Sequence, residues 1–179
     1  MKKVMYRLYL DYEKEEKWIN EMAAQGWNLE KFSLGRFTFS KGEPKAFIFR
    51  NEFIMRMPSN EKKEYFELLN DSGITIVKEF GGWIYMKKPA DQGPFELYTD
   101  SKSRLSYYKG MLNVFYLLFL LNVVLGISNL NLFDDRTTWG YLNPTVGSIC
   151  LVVSLLLLFP IIKIVKRKKS IEKQQGFFE

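Results

Sequence analysis

Two long uncharged apolar runs in the second half of the chain decide what it can fold into. Residues 111–130 read MLNVFYLLFLLNVVLGISNL, 20 residues with no charge, and residues 146–162 read VGSICLVVSLLLLFPII, another 17. At about 1.5 Å per residue the first run spans roughly 30 Å as a helix, the thickness of a hydrocarbon core. The second reaches a similar length once the uncharged residues 142–145 are added. The expectation is a pair of transmembrane helices at 109–130 and 144–165, joined by a short outer loop at 131–143.

The charges around these runs give the orientation. Residues 1–100 hold 16 Lys+Arg against 16 Asp+Glu, whereas residues 101–179 hold 10 against 4 and carry the whole net charge of +6. Lys102, Arg104 and Lys109 precede the first run, and Lys163, Lys166, Arg167, Lys168 and Lys169 follow the second. The intervening loop has Asp134, Asp135 and only Arg136. Because Lys and Arg are retained inside, both ends of the chain are expected in the cytoplasm, with two passes through the cell membrane. Tyr107 and Tyr108 at the inner edge, and Trp139 and Tyr141 at the outer, fit interfacial aromatic belts. No apolar run opens the sequence, so no secretory signal is read there. The basic tail at 166–179, with Lys163 before it, makes membrane lipid an expected partner.

Composition removes whole classes of chemistry. There is no histidine, and Cys150 is the one cysteine, so histidine triads, His-ligated metals, disulfide scaffolds and CxxC motifs are excluded. No nucleophile–base pair is recognisable, so the expectation is a protein that is not an enzyme and takes no cofactor. The acidic group Asp11, Glu13, Glu15 and Glu16 reads as the first turn of a helix complementing its dipole, not as a metal site. Gly35 and the pair Gly81-Gly82 read as turns, since neither opens a helix as a phosphate loop would. The neutral balance of residues 1–100 argues against nucleic acid as a partner.

An offset of 47 residues aligns residues 16–39 with 63–86. Trp18-Ile19 falls on Tyr65-Phe66, Met22 on Leu69, Gly26 on Gly73 and Gly35 on Gly82. Each copy reads as strand, helix, strand, glycine turn, strand. The first helix has Asp11 as candidate N-cap, an apolar stripe through Trp18, Ile19, Met22 and Ala23, and a stop at Gly26. The second begins after Pro58-Ser59-Asn60 and stops at Gly73. The fold expected for residues 1–88 is α+β: tandem βαββ units forming a mostly antiparallel sheet, with two helices on one face, of ferredoxin-like type. Residues 89–108 are expected to link it to the membrane hairpin.

The segment from Asp11 to Trp27 (DYEKEEKWINEMAAQGW) and the segment from Gly35 to Pro44 (GRFTFSKGEP), followed by the strand at 47–50, resemble a bacterial family, the domain of unknown function numbered 2812. The resemblance covers roughly residues 5–90. It implies a membrane-associated bacterial protein, since members commonly carry membrane helices after the domain. It also implies regulated expression beside PadR-type regulators, in an envelope-stress or antimicrobial-peptide response. The family offers no catalytic residues to transfer.

Tyr9, Trp27, Arg36, Arg50 and Trp83 sit on expected strands. If they share a sheet face, they form a candidate surface for an anion, a peptide or a protein partner, because exposed Arg and aromatic residues are enriched at interfaces. In the membrane helices Asn122 and Ser154 are candidate contacts, either within the hairpin, in a homo-oligomer or against another membrane protein. The functional expectation is a membrane-anchored protein whose cytoplasmic domain binds a membrane or cytoplasmic partner. The alternative is an accessory subunit of a membrane transporter or sensor.

Overall fold

A computed structural model describes residues 1–98, 100–132 and 140–175. Met1–Leu97 and Tyr98–Glu179 form two separate compact units. The first unit runs β1 (Lys2–Tyr6), α1 (Tyr12–Ala24), β2 (Trp27–Ser33) and β3 (Arg36–Lys41), then β4 (Phe47–Phe53), α2 (Ser59–Asp71), β5 (Thr75–Phe80) and β6 (Trp83–Pro89). The βαββ pattern is therefore written twice. The offset of 47 survives in detail: α2 begins and ends 47 residues after α1, and the pairing Ser33↔Arg36 recurs as Phe80↔Trp83. Even the irregularity in the hairpin repeats, between Leu29 and Lys31 and again between Ile76 and Lys78.

Local chemistry explains these elements. Trp18, Ile19, Met22 and Ala23 recur at helical spacing and all are buried. The helix stops where Gly26 takes φ +80, and its counterpart Gly73 takes φ +75 after α2. A side chain is strained in that left-handed region, and the Gly26 N–H donates to the Ala23 carbonyl as a helix-end bond requires. Asp11 is the N-cap residue, but its side chain makes no capping bond; the Glu15 N–H donates to its backbone carbonyl instead.

Each unit of the repeat closes its own three-stranded antiparallel sheet, in the orders β1-β3-β2 and β4-β6-β5. The α+β class, the tandem βαββ order and the antiparallel pairing hold. One continuous sheet with both helices on one face does not form. β2 and β5 come close without sharing a ladder. Alternation along β6 gives the reason: Tyr85 faces a core with Phe49, Trp18, Ile19 and Phe37, while Ile84 and Met86 face a second core with Leu69, Ile54 and Phe95. β6, the central strand of the second sheet, is thus buried on both faces, against α1 on one and α2 on the other. Burying a Phe or Leu side chain contributes about 1.5–3 kcal/mol, so neither apolar face of β6 can be left open.

The second unit is a helical hairpin of α3 (Ser101–Leu130) and α4 (Leu142–Gln175), each long and apolar enough to cross a membrane. α3 starts earlier than the linker read at 89–108 allows. Asp100 Oδ1 accepts from the Ser103 N–H at 2.7 Å and caps it, and Phe95 is buried in the second core of the domain. α4 likewise carries residues 166–175 of the basic tail as helix, with Pro160 inside it. The two helices run antiparallel and meet at glycines. A Cβ on Gly147 would stand 2.8 Å from the Gly126 carbonyl oxygen, and one on Gly126 would stand 2.7 Å from Leu151 Cδ2. Small residues let helix backbones approach in this way where no hydrophobic force acts between helices.

Backbone atoms flank Gly147, so overpacking cannot be relieved by a rotamer change. Gly147→Val is expected to destabilise the hairpin by about 1–3 kcal/mol in denaturation of the full chain in detergent micelles. Val124→Ile, on an exposed position of α3, should have no effect. Equal stability of the two variants would remove the glycine contact as a packing determinant.

Candidate functional site

The densest polar chemistry of the domain lies where α1 meets the free edge of β4. β4 is the outer strand of its sheet, so alternate backbone groups on it lack a ladder partner. α1 supplies them from a stripe spaced four residues apart. Asn20 Oδ1 accepts from the Phe49 N–H at 2.8 Å, and Asn20 Nδ2 donates to the Phe49 carbonyl at 2.8 Å. Glu16 Oε2 accepts from the Asn51 N–H at 3.0 Å, and Asn51 Nδ2 donates to the Tyr12 carbonyl at 3.1 Å. The other oxygen of Glu16 accepts from Arg50 Nη1 at 2.6 Å, and Arg50 Nε donates to the Phe95 carbonyl at 2.9 Å. The side chain amide of Asn20 thereby imitates a neighbouring strand.

Beside this seam lies a buried acid. The Glu15 carboxylate, within the first core, accepts from the Tyr85 hydroxyl at 2.5 Å. Burial raises the pKa of Glu15 to about 7, partly offset by that hydrogen bond, and pushes the Tyr85 phenol upward as well. A second tyrosine–glutamate bond joins Tyr65 to Glu52 at 2.6 Å. The depression lined by Glu16, Ile19, Leu29, Phe49, Arg50, Asn51 and Tyr85 has no room for a water molecule. Its polar groups chiefly hold α1 to β4 and β6. Among the described residues no group of three His, Cys, Asp or Glu is placed to hold a metal.

The five residues read as one binding face are not brought together. Trp27 and Arg36 belong to the first sheet, Arg50 and Trp83 to the second. Trp27 pairs with Lys41, on the side of the buried Phe37 and Phe39, so Arg36 points to the opposite side. Lys3 and Lys41 stand over the Trp27 ring at 5.4 and 5.0 Å. Tyr9 packs on Trp18 and Phe37, and Trp83 on Tyr12 and Phe53. Of the five, only Arg36 is fully exposed. Glu15, read as one of the acidic residues complementing the dipole of the first turn, is instead buried; its place three and four residues before Trp18 and Ile19 puts it on the apolar stripe, which was the available signal.

In the hairpin, Ser154 is buried and donates to the Leu151 carbonyl, while Asn122 is half-buried and donates to the Leu118 carbonyl of its own helix. Asn122 therefore spends a donor within α3. Antiparallel packing puts Lys102, Arg104 and Lys109 at the same end of the hairpin as Lys163, Lys166, Arg167, Lys168 and Lys169. Tyr141 is exposed at the other end. Asp134, Asp135, Arg136 and Trp139 lie outside the described residues.

These features define a class: a duplicated βαββ domain joined to an apolar helical hairpin with a basic end. The chain matches the family described as protein of unknown function (DUF2812) over residues 11–120, more than half its length, and belongs to that family. The match starts at the α1 cap and runs into the apolar part of α3, further than the resemblance at residues 5–90. No curated protein and no solved structure matches the chain.

Two outcomes are expected from the seam. Asn20→Leu strands a buried N–H and carbonyl of Phe49 and should lower stability by about 2–3 kcal/mol in denaturant titration, against no loss for Glu21→Gln on the exposed side of α1. Glu15 holds its proton more tightly when folded than when unfolded, so it is uncharged and costless at acid pH. Its penalty grows as pH rises from about 4.5 to about 7, up to about 3 kcal/mol. Glu15→Gln should therefore match the wild type near pH 4.5 and exceed its stability at pH 8. Parallel stability–pH curves for the two would refute the raised pKa.

Proposed function

We propose that this chain is a non-enzymatic protein of the bacterial cell membrane, with both ends in the cytoplasm, whose domain binds a partner and transmits that binding through the hairpin. One observation carries the reading: both basic clusters lie at one end of an antiparallel pair of membrane-length helices. Retention of Lys and Arg in the cytoplasm then favours both ends of the hairpin inside. The engagement of Glu15, Glu16, Arg50 and Tyr85 in bonds that hold the domain together supports a binding role over catalysis. The response to envelope stress or antimicrobial peptides, under PadR-type control, follows from the family resemblance. The basic face of α4 engages anionic lipid, at about 1 kcal/mol per residue near the surface.

Two measurements test this. A periplasmic reporter such as alkaline phosphatase should be active when inserted at residue 135 and inactive at either end of the chain; the reverse pattern would invert the orientation. Cells lacking the chain should lose survival under membrane-active peptides, regain it with the full chain, and regain less with Gly147→Val. Unchanged survival in all strains would remove the stress role. Co-purification of a membrane transporter or sensor with the full chain would favour an accessory subunit instead.

A further inference from the structure

The two repeats treat equivalent edges differently. The Lys41 N–H donates to the Met1 carbonyl and the Arg7 N–H donates to the Gly35 carbonyl. Odd positions of β1 thus point their backbone groups at β3, and Lys2, Val4 and Tyr6 point theirs outward. These are the counterparts of Phe49, Asn51 and Phe53 on β4, whose edge α1 seals. Among the described residues no strand pairs with the outer edge of β1. Side chains follow the same contrast at two of three positions. Tyr6, Leu8 and Leu10 are 74%, 80% and 53% exposed, whereas Phe53 and Met57, counterparts of Tyr6 and Leu10, are packed on Trp83 and on the second core; Met55, the counterpart of Leu8, is exposed as well.

The exposed residues gather at one tip. Leu8 packs against Gly35, and Leu34 beside it is 75% exposed. Only Gly35 of this turn has positive φ, so nothing in the turn geometry calls for leucine at 34; the second repeat has Gly81 there. Arg7 is held by the Trp18 ring, 4.7 Å away, and Arg36 is paired with Tyr6 across the ladder. Residues 5–10 and 31–36 contain Arg7, Lys31 and Arg36 and no acidic residue, within a domain whose charges balance overall.

We infer that this tip docks on the anionic bilayer surface, with Leu8, Leu34 and Tyr6 entering the interface and Arg7 and Arg36 meeting lipid phosphates. The inference rests on the membrane-anchored reading above. Exposed leucine and tyrosine flanked by arginine fit the boundary between headgroups and chains. The charge is complementary to an anionic leaflet and poorly suited to a second copy of the same basic edge. Chain length adds the rest. Between Leu97, packed on the second core, and Ser101, the start of α3, lie only residues 98–100. Ten helical residues, about 15 Å at 1.5 Å each, separate Ser101 from the apolar run. So short a tether keeps the local lipid concentration high and lets weak contacts count.

The test uses the full chain in lipid nanodiscs holding one copy each, with Cys150→Ser and an environment-sensitive dye on Leu34→Cys. In discs containing phosphatidylglycerol, brominated acyl chains should quench the dye. In phosphatidylcholine alone the docking equilibrium should weaken. Arg36→Glu should weaken it at least about fivefold, the effect of one basic residue near the surface. Leu8→Asp should abolish quenching without unfolding the domain, because Leu8 lies outside both cores. No quenching in anionic discs, while α3 and α4 remain protected from hydrogen exchange, overturns the proposal. Protection of β1 only in discs with two copies, with a disulfide between copies through Val4→Cys, would assign the edge to a second copy and also overturn it. Failure of the chain to enter discs would sink the anchor reading itself, a distinguishable result.

Discussion

The domain depends on how α1 fits between its two sheets. One side of the helix gives Trp18, Ile19 and Met22 to the core shared by both sheets, while Tyr12, Glu16 and Asn20 meet the edge of β4. Burial alone would press the helix against the strand and strand the edge amides of Phe49 and Asn51 without water, at about 1–3 kcal/mol each. Polar side chains at a spacing of four remove that cost and set the height at which α1 sits. The position of the second sheet, and through β6 the seat of α2, follow from this one junction.

The repeat was legible in sequence because helical stripes and glycine stops are local signals. Trp18 with Ile19 and Tyr65 with Phe66, then Gly26 and Gly73, marked both helices and their ends, although α2 starts at Ser59, two residues before the reading placed it. The split into two sheets was harder to see. Short hairpins and alternating strands describe one sheet of six strands as well as two of three. The decisive sign was Trp83-Ile84-Tyr85-Met86, apolar on both sides of a strand, which is what burial on both faces requires. The candidate face failed for a related reason. Residue type announces that Arg50 and Trp83 favour interfaces, but a partner 34 positions away in Glu16 is a tertiary fact.

In the hairpin the apolar runs gave the spans, and charge gave the pattern at their ends. The polar residues singled out in them, Asn122 and Ser154, both bond to carbonyls of their own helices. Gly126 and Gly147 bring the two backbones together, and Ser154 is buried one heptad beyond Gly147. A glycine among leucines draws less attention than an asparagine, yet close backbone approach is what membrane helices can exploit.

The sealing of β4 by α1 also bears on how the domain comes apart. Tandem units that touch only through apolar faces open one at a time, each with its own stability. Here a helix of the first repeat completes the hydrogen bonding of a strand in the second repeat, so β4 cannot be exposed without unseating α1. The two repeats of the domain are thereby bound into one cooperative transition, with β1, whose edge nothing in the domain completes, as the segment that frays first.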